Sequence, residues 1–327
     1  MPNRPARLRV RYAAAAIAAG MTLTMPAAMA WTNKPVRMLV PAPAGGTMDV
    51  IARLLADQLS ADLGQPVVVD NKPGAGGGIA INTMLAAPPD GQTIMVTATN
   101  VLTEVPHVLK TPYNTMKDIR PLAAVARSRL LLVGSPTLPA RDFKSLVSYV
   151  QANPGKLSFA SYSAGTASHY AGVIMNQKAG MDLAHVPFAG SAPALVQVMG
   201  GQIAVMYDGM VTSLPMIRAG KLQAYAVASK SRSPLLPQVP TFAELGYPDV
   251  EFSNWVGVIG ASRVPVELAQ KIHAAAYKAA AAPKVQERMQ ALGYEPMREQ
   301  TLSQLGQSLN EEYERNAAIV KTFHIQP

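Results

Sequence analysis

Strand, glycine loop and helix follow one another twice in this chain, once in each half, and that order fixes the class of fold available to it. The first unit reads "MLVPAPAGGTMDVIARLLADQL": a β-like run over 36–40, then Gly45-Gly46, then apolar residues at 50, 51, 54, 55, 59 and 63 at the helical period. Gly64 closes that helix, 67–69 reads as the next strand, and "DNKPGAGGGIA" turns into a helix over 79–86 and a strand over 93–97. This βαβαβ order predicts an α/β fold with a mostly parallel sheet and ligand loops at the strand C-termini. The pattern restarts after Pro139 with a helix over 143–152, a strand over 158–161, the loop "YSAGTAS" and a helix over 169–179. Further strands are expected at 184–187, 203–207 and 224–229, and three helices close the chain at 265–281, 284–292 and 302–323. Pro265 suits a first helical turn and Thr301 an N-cap.

Both loops have the chemistry of an anion site. Gly45 and Gly46 let the backbone turn amide N–H groups into one space, and the helix start adds unpaired N–H groups and its positive dipole end. A carboxylate or phosphate would be favoured there. Asp49 reads equally as an N-cap and as a pocket acceptor for a ligand hydroxyl or ammonium. The second loop, from Ser161 to Thr166, offers hydroxyls and amides, which also suit plain turn and cap chemistry. Two such loops in separate halves point to a cleft.

The N-terminus has the layout of a cleaved export signal. Arg4, Arg7, Arg9 and Arg11 precede an apolar run over 13–24, and Ala28-Met29-Ala30 predicts cleavage before Trp31. The run is shorter than the roughly 20 residues that span a bilayer. Cleavage leaves 25 basic against 20 acidic residues, a net charge of +5 instead of +9. That balance suits an anionic solute, and with no basic stripe the reading excludes nucleic acid as partner. The chain has no cysteine, hence no disulfide and no lipid anchor on one, so stability must come from a core. Two lobes are expected from the length, and the protein is expected to act as a monomer.

Catalytic signatures fail in turn. Ser161-Tyr162-Ser163-Ala164-Gly165 lacks the first Gly of a nucleophile elbow, and Gly74-Ala75-Gly76 is followed by Gly77, Gly78 and Ile79 instead of a dinucleotide fingerprint. No Gly-Lys pair precedes Ser or Thr, and the histidines at 107, 169, 185, 273 and 324 have no zinc spacing. No catalytic residue, metal or cofactor is expected. The competing reading is an exported hydrolase using Ser161 or Ser163 with His169.

The order of the motifs over the mature sequence resembles the Bug-type periplasmic solute-binding proteins of tripartite tricarboxylate transporters. "KPVRMLVPAPAGGTMDVIARLLADQL", "GQPVVVDNKPGAGGGIA", "AAPPDGQT", "NPGKLSFASYSAGTASHYAG", "HVPFAGSAPAL", "GGQIAVMYD" and "AGKLQAYAVASKSRSPLLPQVPTFAELG" fall in the order of that family. The resemblance implies a two-lobed, Venus-flytrap fold of the second periplasmic-binding class, each lobe a sheet flanked by helices. Lobe one would hold 31–127 and 235–327 and lobe two 128–234, with hinge segments near 123–132 and 228–255. It implies a small carboxylate held by Ala42, Pro43, Ala44, Gly45, Gly46, Thr47 and Asp49, by Ala75, Gly76 and Gly77, and by Thr99. Lobe two would add Ser161, Ala164, Gly165, Thr166, His169, Gly190, Ser191 and Asp208. The partner would be membrane transporter subunits, with a sensor as alternative.

Four motifs depart from the family pattern. Ala42 stands where relatives often have Phe, Gly209 where Asn is common, Phe188-Ala189-Gly190 where Tyr-Lys-Gly is common, and Asn100 where Gly is common. A pocket with fewer polar groups at its far end, suited to a less polar and even aromatic carboxylate, is the expectation.

Overall fold

The computed structural model describes residues 31–248, 250–252 and 254–327; the export signal lies outside the described residues. In chain order the first part runs β1 (Val36–Val40), α1 (Thr47–Leu63), β2 (Val67–Asn71), α2 (Gly78–Ala86), β3 (Thr93–Ala98), three single-turn helices α3 (Asn100–Thr103), α4 (Val105–Val108) and α5 (Thr115–Asp118), and β4 (Ile119–Arg127). The middle runs β5 (Leu130–Gly134), α6 (Phe143–Gln151), β6 (Leu157–Ser161), α7 (Ala167–Ala179), β7 (Leu183–Pro187), α8 (Ser191–Met199), β8 (Val205–Gly209), α9 (Met210–Arg218) and β9 (Gln223–Val227). The chain returns with β10 (Trp255–Ala261), α10 (Val266–Ala281), α11 (Pro283–Ala291), β11 (Glu295–Pro296) and α12 (Leu302–Phe323).

Two sheets result, ordered β11-β4-β10-β3-β1-β2 and β7-β6-β8-β5-β9. Both are mixed. β1 pairs β2 and β3 in parallel, and β6 pairs β7 and β8 in parallel. The strand that returns from the second lobe, β10, lies antiparallel between β3 and β4. The strand that enters the second lobe, β5, lies antiparallel between β8 and β9. Each crossing therefore ends in a strand wedged into the interior of the receiving sheet, which ties the lobes at two places.

Alternate residues of the central strands supply the cores. Met38 and Val40 enter one core and Leu39 the other face; Val256 and Val258 join the first, Trp255 and Ile259 the second. Burial of both faces by helices is why these strands read as apolar runs. In the second sheet Val205 and Tyr207 go to one side and Met206 to the other. Helix α1 buries Ile51, Ala52, Leu55, Ala56 and Leu59 along one stripe and stops at Gly64, whose φ of 64° is left-handed. It starts at Thr47, a turn before its apolar period becomes visible, because Gly46 takes the N-cap. Helix α12 begins where expected, with a capping box between Thr301 and Gln304.

Two stretches pack away from the lobe their sequence position suggests. Phe242, Val250 and Phe252 lie in one core of the second sheet, and Leu236 and Val239 in the other. Ile319, Val320, Phe323 and Ile325 at the C-terminus pack there as well. Helix α12, which also meets α3 and α4, thus straps the two lobes together from behind.

Candidate ligand-binding site

A cavity of about 230 Å³ lies between the lobes at the C-terminal ends of β1, β3, β6 and β8. Five helices of nine residues or more begin at its wall: α1 with Gly46, Thr47 and Met48, α2 with Gly77, α7 with Thr166 and Ala167, α8 with Gly190 and Ser191, and α9 with Gly209. Among the described residues, none of the five has a side-chain N-cap hydrogen bond. By contrast α6 and α12, whose N-termini lie away from the cavity, are capped by Asp142 and Thr301. First-turn N–H groups and positive dipole ends from both lobes therefore meet in one small space, a geometry that favours an anion. Among the described lining residues Arg129 is the only charged one. Phe188, Phe252, Met48, Val101 and Leu130 make the rest of the wall apolar.

The loop after β1 is held from behind. Asp49 is 2% exposed and sits in the first turn of α1, not at its cap. Its Oδ2 accepts from the Gly45 N–H at 2.8 Å and from Arg53 Nε at 2.9 Å, and its Oδ1 accepts from Asn71 Nδ2 at 2.9 Å. Asn71 also donates to the Ala42 carbonyl at 2.8 Å. Burial pulls the Asp49 pKa upward, but the hydrogen bonds from Arg53, Gly45 and Asn71 outweigh it and hold the group below its ordinary value. The turn before α2 is unusual: Gly74, Ala75, Gly76 and Gly77 follow one another with φ of 113°, 49°, 61° and 94°. A Cβ on Gly77 would come within 2.6 Å of Val101, so glycine lets the turn lie flat on α3.

Of the residues expected at the site, Ala42, Gly46, Thr47, Ala75, Gly76, Gly77, Thr166, Gly190 and Ser191 line the cavity. The others stand behind it. Pro43 packs against Gly190 across the lobes, where a Cβ would meet its Cδ at 2.6 Å. Ala44 and Gly45 complete the braced loop, and Gly45 donates to Asp49. Thr99 is buried and donates to Asn254 Oδ1 at 3.3 Å. Ala164 lies in the turn ahead of α7, and Gly165 packs on Val105 and Val108 of the first lobe. Asp208 is fully buried, and its Oδ2 accepts from Ser213 at 2.7 Å and Thr212 at 2.5 Å, anchoring the start of α9. Burial pushes its pKa up.

Ser161 and His169 do not form a pair. Ser161 Oγ lies 2.7 Å from His185 Nε2, is fully buried, and does not reach the cavity. His169 Nδ1 accepts from the Gly165 N–H at 3.1 Å, and its ring stacks on His185 with centroids 3.8 Å apart. Burial drives the His169 pKa to about 3 and that of His185 to about 4, so both rings are neutral near pH 7. Ser163 lines the cavity, yet its hydroxyl donates to the Ala164 carbonyl at 3.3 Å. Neither serine has a base poised on it from the cavity side. Among the described residues no group of three or more His, Cys, Asp or Glu could hold a metal ion.

Several residues outside the expected set also line the cavity. Tyr162 sits inside the second loop, and its hydroxyl accepts from Asn100 Nδ2 at 3.3 Å across the lobes. Arg129, Phe252 and Asn254 come from the two crossing segments, whose composition is ordinary. Thr47 adds a further interlobe contact, its hydroxyl 3.2 Å from that of Thr212.

Residues 51–325 match the sequence profile of the "Tripartite tricarboxylate transporter family receptor". The chain belongs to that family. It is 36% identical over 287 residues to a UPF0065 protein in the tcbD-tcbE intergenic region of Pseudomonas sp. (strain P51), covering 86% of this chain and 85% of the relative. Among solved structures it resembles the periplasmic binding protein BugD, with TM-score 0.85, 33% identity, and coverage of 90% of this receptor and 100% of BugD. It also resembles MatC of Rhodopseudomonas palustris with bound malate, with TM-score 0.83 and 31% identity over 88% of this chain and 99% of MatC. R. palustris Rpa4515 with adipate gives TM-score 0.86 and 29% identity over 91% and 100%. The receptor family, its two-lobed fold and its small-carboxylate ligands thus agree with the anion-favouring cavity. Among the described residues no helix is long and apolar enough to cross a membrane.

Proposed function

We propose that this receptor captures one small carboxylate between its lobes and delivers it to the membrane subunits of a tripartite tricarboxylate-type transporter. It would work as an exported monomer freed of residues 1–30, without chemistry on the ligand. The observation that carries the reading is the convergence of five uncapped helix N-termini, from both lobes, on one apolar-walled cavity. An anion there gains from both halves at once, so binding stabilises the arrangement in which they meet. The lobes would divide near 128 and 254 and swing about those crossings. Thr47, Met48 and the turn over 75–77 would hold the carboxylate from lobe one, and Thr166, Gly190 and Ser191 from lobe two. Phe188, Phe252 and Met48 would favour a ligand with an apolar body, such as a straight-chain or aromatic dicarboxylate, over citrate. The malate and adipate bound by related receptors support the ligand class.

A melting screen of the ligand-free mature protein tests this, using adipate, malate, citrate, benzoate, terephthalate and their methyl esters. A ligand at 100 times its Kd adds about 2.7 kcal/mol. Shifts with acids and none with esters support the reading. A folded protein that no acid shifts would refute it, and a citrate shift far above terephthalate and adipate would refute the apolar preference.

A further inference from the structure

Glu104 is buried behind the cavity where four parts of the protein meet, and nothing in the carboxylate site uses it. It sits between α3 and α4 and is 1% exposed. Its Oε1 accepts from Asn254 Nδ2 at 3.3 Å, and Asn254 lines the cavity. Thr99 holds the other side of that amide, donating to Asn254 Oδ1 at 3.3 Å. From the second lobe, Tyr170 of α7 donates to the Glu104 carbonyl at 2.9 Å. The groups facing Glu104 are Glu312 and Arg315 from α12, the Ala167 N–H and Tyr170 from α7, Tyr162 from the loop before it, and Asn254. Among the described residues, Oε2 of Glu104 and Oε2 of Glu312 are both buried without a hydrogen-bond partner. Two carboxyl groups with one orphaned oxygen each are a costly arrangement when both are ionised, and a proton relieves it.

We propose that Glu104 is a positioning residue for ligand capture, which fixes Asn254 at the cavity wall and, while it carries a proton, lets α7 of the second lobe pack over an uncharged carboxyl. Ionisation puts a buried carboxylate charge beside Glu312 where the lobes meet, and burial under α7 then costs more. Capture therefore weakens as pH rises. The direction agrees with burial, the largest influence, and with the neighbouring Glu312, which together push the Glu104 pKa from 4.5 to about 8. In the open form α7 and Tyr162 withdraw and the group returns toward 4.5. The form that binds the proton more tightly is the closed one, so closure is favoured below that ordinary value and loses ground as pH climbs toward 8.

The proposal rests on the receptor reading only for its ligand assay. Calorimetry with adipate as probe, from about pH 5.5 to pH 8.5, should show wild-type affinity falling by up to about tenfold per pH unit below pH 8 and levelling above it. Glu104→Gln, a neutral isostere of the protonated acid, should bind tightly with a flat profile. Glu312→Gln should keep the fall but end it at lower pH with a smaller total loss. Parallel slopes in wild type and Glu104→Gln, or a flat wild type, would overturn the proposal. If adipate bound neither protein, the ligand reading would fail separately. Ligand-free melting across the same range then decides: the difference between wild type and Glu104→Gln must grow with pH, and a constant difference refutes the proton-linked role. Should Glu104→Gln not fold, an unchanged profile in Glu312→Gln refutes it.

Discussion

Gly209→Ala separates closure from folding. Gly209 ends β8 with φ −69° and ψ 146°, a conformation open to any residue, so alanine adds no backbone strain. Its new Cβ would lie 2.9 Å from Thr47 Oγ1 and 3.3 Å from Thr47 Cγ2, across the cavity in the other lobe. Threonine is stiff at χ1, and turning it exchanges one clash for the other. Moving Thr47 also breaks its 3.2 Å contact with Thr212. The lost hydrogen bond costs about 1 kcal/mol and the overpacking about 1–3 kcal/mol, all of it in the closed form. A total of about 2–4 kcal/mol predicts an affinity loss of about 30- to 700-fold. Titration calorimetry would use the acid with the largest melting shift, beside melting of the ligand-free protein. Unchanged affinity refutes the reasoning, and so does a ligand-free destabilisation as large as the binding loss.

Three other outcomes follow from the same geometry. Gly46→Val puts a side chain where even a Cβ would lie 3.1 Å from the Pro43 carbonyl, so the loop should lose its shape and acid binding should vanish by calorimetry while circular dichroism stays native. Asp49→Ala should cost about 2–3 kcal/mol in urea unfolding, because Gly45 and Asn71 lose a charged acceptor; the depressed Asp49 pKa places its stabilisation above the ordinary carboxylate value, to be lost as acid is added. His169 and His185 take up protons more readily when unfolded, since their folded pKa values are about 3 and 4, so the melting temperature should drop as pH falls below about 6.5. Glu104→Gln leaves both histidines intact and should keep that acid limb.

Local pattern made the strand, loop and helix units readable. Their glycines, apolar stripes and caps act within a few residues, so the Gly45-Gly46 loop is legible as an anion site, and Ala42, Gly46 and Thr47 do line the cavity, whereas the turn over 75–77 is placed there only through the family resemblance. The direction of a single side chain was not. Asp49 turns away from the cavity because Asn71, on β2, and Arg53 claim it from behind. His169 faces His185, an accident of strand order in the second sheet that spacing does not encode. Arg129, Phe252 and Asn254 enter the wall through segments with no periodicity, and only the pairing of β5 and β10 inside the sheets brings them there. Lobe membership was obscured likewise: Phe242, Val250 and Phe252 lie past 235, where the first lobe is expected to resume, yet fill the core of the second sheet.

The most direct test of carboxylate capture is a crystal structure of the mature protein grown with the acid that shifts its melting most. The account predicts the acid between the lobes, with a carboxylate within hydrogen-bond distance of the Thr47 or Met48 N–H and of a group from the Thr166 or Ser191 helix start. An acid bound outside this cavity, or inside it with both carboxylates turned from every helix N-terminus, would contradict it.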